Sequence, residues 1–509
     1  MSTKGTALAA ARRELSRRRF IQTTAAIGAV ASLPLARRAY AVVPADEFIT
    51  YSAAQVAKLI REKQITAVDA VKMCYARIDV VNPKLNAVVA TCRERALAEA
   101  EQADAMLASG KTMGPLHGVP FTVKDSFDTA GVVSTGGTLG RKNYVPGKDA
   151  TVVARVRAAG AILLGKTNTP EFTLGGGARG TYNLVYGQTY NPYNVAYSPS
   201  GSSGGAGSIV AAGGAFFDIG SDYGGSIRGP AYNNGIAGIK PTYGRVPRTG
   251  HIVGYGGPFD NFQETGPLAR RVEDLMLLLP LLGGPDNSDA AMAPVPLGDP
   301  SKVDLKKLRV AFYTNDGETA PSPEIQELVK QCTGYFKDLG CRVTEDRPPK
   351  IKELSEARNK FSGAADGDNM RRLLAKHGTT QASPGLRTSG NLLPSAEFTK
   401  WCEVMDSIKS EQLAWFEKYD LIVCPANAKP PQKVPPEFVR QPGSGGGSYT
   451  SQYNTTGWPA GVVRAGTSKE EAGLPLGIQL VGQPWRDDVV LAAMAHVEKQ
   501  TGGWQMPPI

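Results

Sequence analysis

Three short segments place lysine and serine where ordinary side chains could become reactive: Val119-Pro120-Phe121-Thr122-Val123-Lys124-Asp125, Ser198-Pro199-Ser200-Gly201-Ser202-Ser203-Gly204-Gly205, and Gly220-Ser221-Asp222-Tyr223-Gly224-Gly225-Ser226-Ile227-Arg228. Lys124 follows a run of strand character, so its amine is held at the edge of a core. Desolvation there lowers its pKa and leaves a neutral amine able to take a proton. Beside Ser226, the Gly224-Gly225 turn carries no Cβ to keep main-chain N–H groups from a ligand, and such groups hold a developing oxyanion. A base, a hydroxyl and an anion-binding turn are the parts of acyl transfer. Singly, a lysine at a strand end is more often a solvated terminus, and a Gly/Ser cluster more often a loop. Their order and spacing carry the reading.

The elements that must position these groups alternate. Ser52 with Gln55 and Thr66 with Asp69 form capping boxes that predict two helices, with Val56, Leu59 and Ile60 on the apolar face of the first. Val68, Val71, Cys74, Tyr75 and Ile78 mark that of the second. Strands are predicted around 87–90, over 119–123 and over 161–164, with helices over 93–108 and 150–159. This rhythm predicts an α/β fold with a central mixed, mostly parallel sheet flanked by helices. From Ser301 to about Gly447 the character changes: strands over 310–313 and 421–424 enclose helices near 323–339, 350–374 and 397–419, and 425–447 reads as an exposed loop. Buried strand patterning returns at 456–460 and 474–481, and a helix over 487–500 closes the chain.

Two look-alike motifs compete. Gly201-Ser202-Ser203-Gly204-Gly205 fits G-x-S-x-G, in which Ser203 would attack, but that elbow needs a strand directly before it, and 191–200 holds two prolines and little apolar character. Gly160 to Thr167 fits G-x-x-x-x-G-K-T, but the intervening residues are themselves the strand and Pro170 follows closely. None of the six cysteines sits in a comparable Gly-rich setting. With four histidines and no Cys/His spacing, neither a metal site nor an organic cofactor is expected.

The run from Ser198 through Arg228, followed by Gly238-Ile239-Lys240-Pro241-Thr242-Tyr243-Gly244-Arg245-Val246, resembles the amidase-signature family. Pro120–Asp125, Gly266–Arg270 and Leu474–Gly482 match further family stretches. The resemblance covers a core of about 50–300 and 450–500, leaving 301–447 as a variable, substrate-side insert. It implies hydrolysis of a carboxylic amide C–N bond, or a related carbamate or ester, through an acyl-enzyme. Ser226 would be the nucleophile, Ser202 the bridging serine on a cis peptide bond, and Lys124 the base. Backbone N–H groups of Tyr223, Gly224, Gly225 and Ser226 would form the oxyanion hole, with Ser203, Asp222 and Arg228 in support. Two positions depart from the family pattern: Ser200 stands where glycine is more common, and Tyr223 where a smaller residue is usual. An alternative within the resemblance is the glutaminase subunit of a tRNA-dependent amidotransferase.

The 509 residues carry a formal net charge of +10, which would suggest nucleic acid were it evenly spread. Eight basic residues and one acid lie within residues 1–41, so the remainder is nearly balanced, at 49 basic to 46 acidic residues. No nucleic-acid partner is expected. Ser16-Arg17-Arg18-Arg19-Phe20-Ile21-Gln22 resembles a twin-arginine export motif, with a modestly apolar stretch over 23–36 and a cleavage site near Ala41. Export to the periplasm or beyond is the expectation, with residues 42–509 as one amidase domain, a small-molecule amide as substrate and no stable membrane span. A homodimer and a Cys332–Cys341 bridge stay open.

Overall fold

Both capping boxes form. The structure, a computed structural model, describes residues 44–254, 257–438, 449–471 and 473–509. The Ser52 hydroxyl accepts the N–H of Gln55 at 3.1 Å, and the Gln55 side chain accepts that of Ser52 at 2.8 Å. Thr66 and Asp69 repeat the arrangement. The helices that follow, Ala53–Arg61 and Ala67–Leu85, bury Val56, Ile60, Val71, Cys74, Tyr75 and Ile78. The expected leader over 1–41 and its cleavage position lie outside the described residues.

The strands are β1 (Val88–Thr91), β2 (Pro120–Lys124), β3 (Ile162–Thr167), β4 (Tyr182–Asn183), β5 (Gly187–Gln188), β6 (Phe217–Asp222), β7 (Ala237–Lys240), β8 (Glu264–Ala269), β9 (Arg309–Phe312), β10 (Arg342–Glu345), β11 (Leu421–Pro425), β12 (Ala460–Thr467) and β13 (Pro475–Gly482). Eleven of them build one mixed sheet flanked by helices, in the order β1-β3-β2-β6-β8-β7-β12-β13-β11-β9-β10. The α/β class is as expected. Its parallel pairs fall in two blocks, β3-β2-β6 and β11-β9-β10, and antiparallel pairs fill the centre between them.

The first parallel block positions the reactive segments. Thr122 pairs with Asp218 and Val123 with Ile219, so the carboxyl ends of β2 and β6 finish side by side. Ligand sites in open α/β sheets lie beyond such ends. Phe121 of β2 stacks on Phe217 of β6 with ring centroids 5.1 Å apart, fixing the pair from its apolar side.

The insert joins the same sheet through β9, β10 and β11. Strand β10 was not legible in the sequence: at the sheet edge it exposes Arg342, Thr344 and Glu345, so little apolar alternation marks it. The helix expected over 350–374 is two helices, Ile351–Gly363 and Asp368–Lys376. Asp366 and Gly367 between them take φ of 50° and 72°, which no helix continues through. The loop expected over 425–447 starts buried, at Ala426 and Ala428, and residues 439–448 of it lie outside the described residues. Cys332 and Cys341 are free thiols. Among the described residues no helix is long and apolar enough to cross a membrane.

Candidate active site

Lys124, the last residue of β2, is fully buried. Its Nζ lies 2.7 Å from Ser202 Oγ, 3.0 Å from Ser221 Oγ and 3.3 Å from the Ser221 carbonyl. Burial lowers its pKa from 10.5 to about 7, against the opposing pull of Asp222 and Asp218. The amine is therefore substantially neutral near physiological pH, as a proton acceptor must be.

Ser202 is buried, and the Gly201–Ser202 peptide bond is cis. The serine loop runs directly into the helix Gly204–Ala211, and its glycines are steric requirements. A Cβ on Gly204 would meet Thr181 Oγ1 at 2.2 Å, and one on Gly205 the Asn168 nitrogen at 2.4 Å. Ser200 takes φ 65°, the left-handed region that favours glycine, which accounts for the glycine common at this position in the family pattern.

Ser226 is half-buried in the turn after β6. Its carbonyl accepts the N–H of Ser203 at 3.1 Å, joining the two serine loops through the main chain. Among the described residues its hydroxyl makes no hydrogen bond to Ser202; catalytic hydrogen bonds commonly tighten only once substrate is seated. The N–H groups of Gly224 and Ser226 meet no acceptor among the described residues. Gly225 departs from its expected place. Its N–H donates to Asp222 Oδ1 at 2.6 Å, so it braces the turn instead of facing a ligand.

The supporting residues form a buried ion pair. Asp222 accepts from Arg228 Nη2 at 3.0 Å and Nε at 3.1 Å, from the Ile227 N–H at 3.0 Å and from Asn454 Nδ2 at 2.9 Å. Burial pushes its carboxyl up, but the Arg228 charge and these donors outweigh that and hold it well below the usual range. Arg228 also reaches the Thr450 carbonyl, Gln479 and Asn454. Ser203 is buried, its hydroxyl donating to the Ser221 carbonyl at 3.4 Å.

Tyr223 points away from this network. Its hydroxyl is 3.0 Å from Ser362 Oγ, its ring packs at 5.9 Å on Phe262, and the Arg358 guanidinium lies 4.9 Å above it. Arg358 Nη2 also donates to the Tyr223 carbonyl at 2.6 Å. An insert helix thus grips the turn, and Phe361 and Phe398 extend the packed aromatic cluster.

Both rival motifs fail on geometry. Lys166 lies inside β3 with its Nζ bonded to the Phe127 carbonyl and to Thr129 Oγ1 at 2.7 Å, opening no phosphate loop. No strand runs directly into Ser203, and its hydroxyl faces a backbone carbonyl. Sequence reasoning missed Ser221, His251, Asn454, Gln479 and Arg358. Ser221 lies within the third reactive segment, where one more serine among glycines carries no signal of its own. The others are brought in from distant segments with no local pattern to mark them.

A family model described as Amidase matches residues 69–491. Indoleacetamide hydrolase of Bradyrhizobium diazoefficiens is 32% identical over 467 residues, covering 89% of this chain and 87% of its own. The A-type subunit of the glutamyl-tRNA(Gln) amidotransferase of Heliobacterium modesticaldum is 32% identical over 499 residues, with 89% and 97% covered. Among solved structures, a bacterial aryl acylamidase belonging to the amidase signature enzymes superposes with a TM-score of 0.75 at 28% identity, covering 88% of this chain and 96% of that one. With family match, sheet and site in agreement, the chain belongs to the amidase signature family of hydrolases.

Proposed function

We propose that the chain hydrolyses a carboxylic amide through an acyl-enzyme on Ser226, with Lys124 as base acting through Ser202. The carrying observation is the buried Lys124 amine, its pKa lowered to about 7, 2.7 Å from Ser202 Oγ. In the first step Ser226 Oγ bonds to the carbonyl carbon, its proton passes to Ser202, and the Ser202 proton passes to Lys124. The N–H groups of Gly224 and Ser226 receive the oxyanion. Breaking the C–N bond returns a proton along the same path to the leaving amine. Water then attacks the ester and frees the carboxylic acid. Tyr223, whose turn an insert helix holds through Arg358, and the insert itself are where substrate selectivity should lie.

A second reading, the glutaminase component of an amidotransferase, is favoured by the likeness to the amidotransferase of Heliobacterium modesticaldum. The twin-arginine-like leader favours the first, because export would separate the chain from any tRNA-bound partner. We expect the secreted protein to start near residue 42. A panel of aryl, apolar and primary amides, with glutamine included, tests both readings on wild type, Ser226→Ala and Tyr223→Ala. Hydrolysis of aryl or apolar amides by the isolated chain, lost in Ser226→Ala, supports the first. Glutamine turnover only with added partner proteins supports the second, and unchanged turnover in Ser226→Ala overturns the mechanism.

A further inference from the structure

Arg358 is a buried cation without a carboxylate. It stands midway along the insert helix Ile351–Gly363 and is 5% exposed. Among the described residues it forms no ion pair, its Nε meets no acceptor, and its guanidinium makes one hydrogen bond, from Nη2 to the Tyr223 carbonyl at 2.6 Å. The carboxylates whose charge reaches it, Glu264 and Asp222, are already paired, with Lys240 at 3.1 Å and with Arg228 at 3.0 Å. Each of those pairs is neutral in sum, so the positive charge of Arg358 is left over beside the turn. Burying a charge with no counter-charge is costly, and the site it adjoins is one where negative charge develops.

The carbonyl that Arg358 holds belongs to the Tyr223–Gly224 peptide, which is trans. In a trans peptide the C=O and the N–H point in opposite directions. With the oxygen drawn back to Arg358, the Gly224 N–H faces the other way, where it meets no acceptor among the described residues. Tyr223 is anchored a second time on the same helix, its hydroxyl 3.0 Å from Ser362 Oγ. The next two carbonyls of the turn are held as well. The Thr450 hydroxyl donates to that of Gly224 at 2.7 Å, and the Gly229 N–H to that of Gly225 at 2.6 Å. Of these three donors only Arg358 is charged. A charged donor on the oxygen draws electron density through the amide and strengthens the N–H on its far side as a donor.

The geometry points to Arg358 as a positioning residue for amide hydrolysis: through the Tyr223 carbonyl it aims and polarises the Gly224 N–H toward the oxyanion, and its charge is the one the oxyanion balances. This rests on Ser226 being the nucleophile and on the Gly224 N–H receiving the oxyanion. Full negative charge sits on the reacting oxygen only in the tetrahedral species. The bound amide is neutral there, so the effect falls on the transition state and not on substrate binding.

The test uses the full chain with Arg358→Met, Arg358→Lys and Arg358→Gln, and reads two rates. One is turnover of an amide that wild type hydrolyses; the other is labelling by an alkyl fluorophosphonate, which requires no knowledge of the substrate. In labelling, Ser226 Oγ bonds to phosphorus, its proton passes through Ser202 to Lys124, fluoride leaves, and the phosphoryl oxygen takes the oxyanion's place. Arg358→Met is expected to slow both rates by roughly 10- to 100-fold, less than deleting an oxyanion donor outright, with kcat falling by more than KM changes. Arg358→Lys keeps a charged donor and is expected to recover most of the loss. Wild-type rates in Arg358→Met, or a loss carried by KM, overturn the inference. A lysine variant as slow as the methionine variant overturns it too, because packing and not charge is then at work. Should Arg358→Met not fold by circular dichroism, Arg358→Gln takes its place: its amide can donate to the carbonyl without the charge, and wild-type rates in it overturn the inference. Failure of the underlying mechanism is separable. A Ser226→Ala chain that is labelled and active like wild type dismisses the nucleophile, whereas failure of the Arg358 inference leaves Ser226→Ala unlabelled and inactive.

Discussion

Lys124 Nζ and Ser202 Oγ lie 2.7 Å apart although 78 residues separate them in the chain. The parallel pairing of β2 with β6 and the turn from the serine loop into the helix Gly204–Ala211 close that distance. Because the contact is buried, the amine loses more in hydration than nearby carboxylates return, and its pKa falls to about 7.

Replacing either end of the relay should stop turnover without unfolding the protein. Lys124→Ala and Ser226→Ala are each expected to lower kcat/KM by about 10²–10⁴-fold. The double variant should be little worse than the singles, because the groups act as a unit. Steady-state kinetics beside circular dichroism of each variant check this.

Activity should rise with pH through about 7 and then level off. Lys124 must be neutral to accept a proton, and its pKa is lowered to about 7, so below that value the active fraction falls about tenfold per unit. A rate flat down to about pH 5 would count against lysine as the base. The measurement is kcat/KM in buffers of constant ionic strength.

Burying that amine should also cost stability. Its folded pKa lies below the 10.5 of an exposed lysine. Between about 7 and 10.5 the unfolded chain binds a proton that the folded chain does not, so wild-type stability rises with pH across that window. Lys124→Met should therefore be inactive but more stable by roughly 0.5–2 kcal/mol at neutral pH, with the gain shrinking as pH climbs through the window. Urea midpoints of the two proteins at several pH values report it.

The Asp222–Arg228 pair predicts the opposite balance. Arg228→Met strands a buried carboxylate, with an expected loss of about 3–5 kcal/mol. Asp222 is depressed below its ordinary 3.8 in the fold, so the pair's contribution is fully present above that value and lost as pH falls through the lower folded pKa. Denaturation midpoints at neutral and acid pH should show the gap between wild type and variant narrowing in acid.

Gly225→Ala should disable the turn. Gly225 takes φ 127°, and a Cβ there would lie 2.2 Å from Thr450 Oγ1. Backbone strain of about 1–3 kcal/mol is expected, together with a fall in kcat exceeding any change in KM, since the turn carries the proposed oxyanion donors. Thermal melts and a kinetic comparison with Thr450→Ser separate strain from lost contact.

Much of the scaffold was legible because it is locally encoded. Capping boxes at Ser52 and Thr66 and the buried runs of β2 and β3 announce themselves through hydrogen-bonding chemistry and period. What escaped was set by neighbours. Strand β10 is a strand because β9 offers it an edge, and the break at Gly367 depends on two backbone angles that a helical apolar pattern does not reveal.

By itself the sequence singled out the candidate reactive groups, Lys124, Ser202 and Ser226 with the glycines that clear space beside them, all confined to three short motifs. Only the tertiary structure decided how those atoms are tuned. Gly225's N–H turns to Asp222, Asn454 and Gln479 arrive from far along the chain to brace Arg228, and Arg358 reaches the Tyr223 carbonyl from the insert. A pKa or the direction of a hydrogen bond depends on burial and on everything within a few ångströms. Those neighbours come from segments that meet only when the sheet closes.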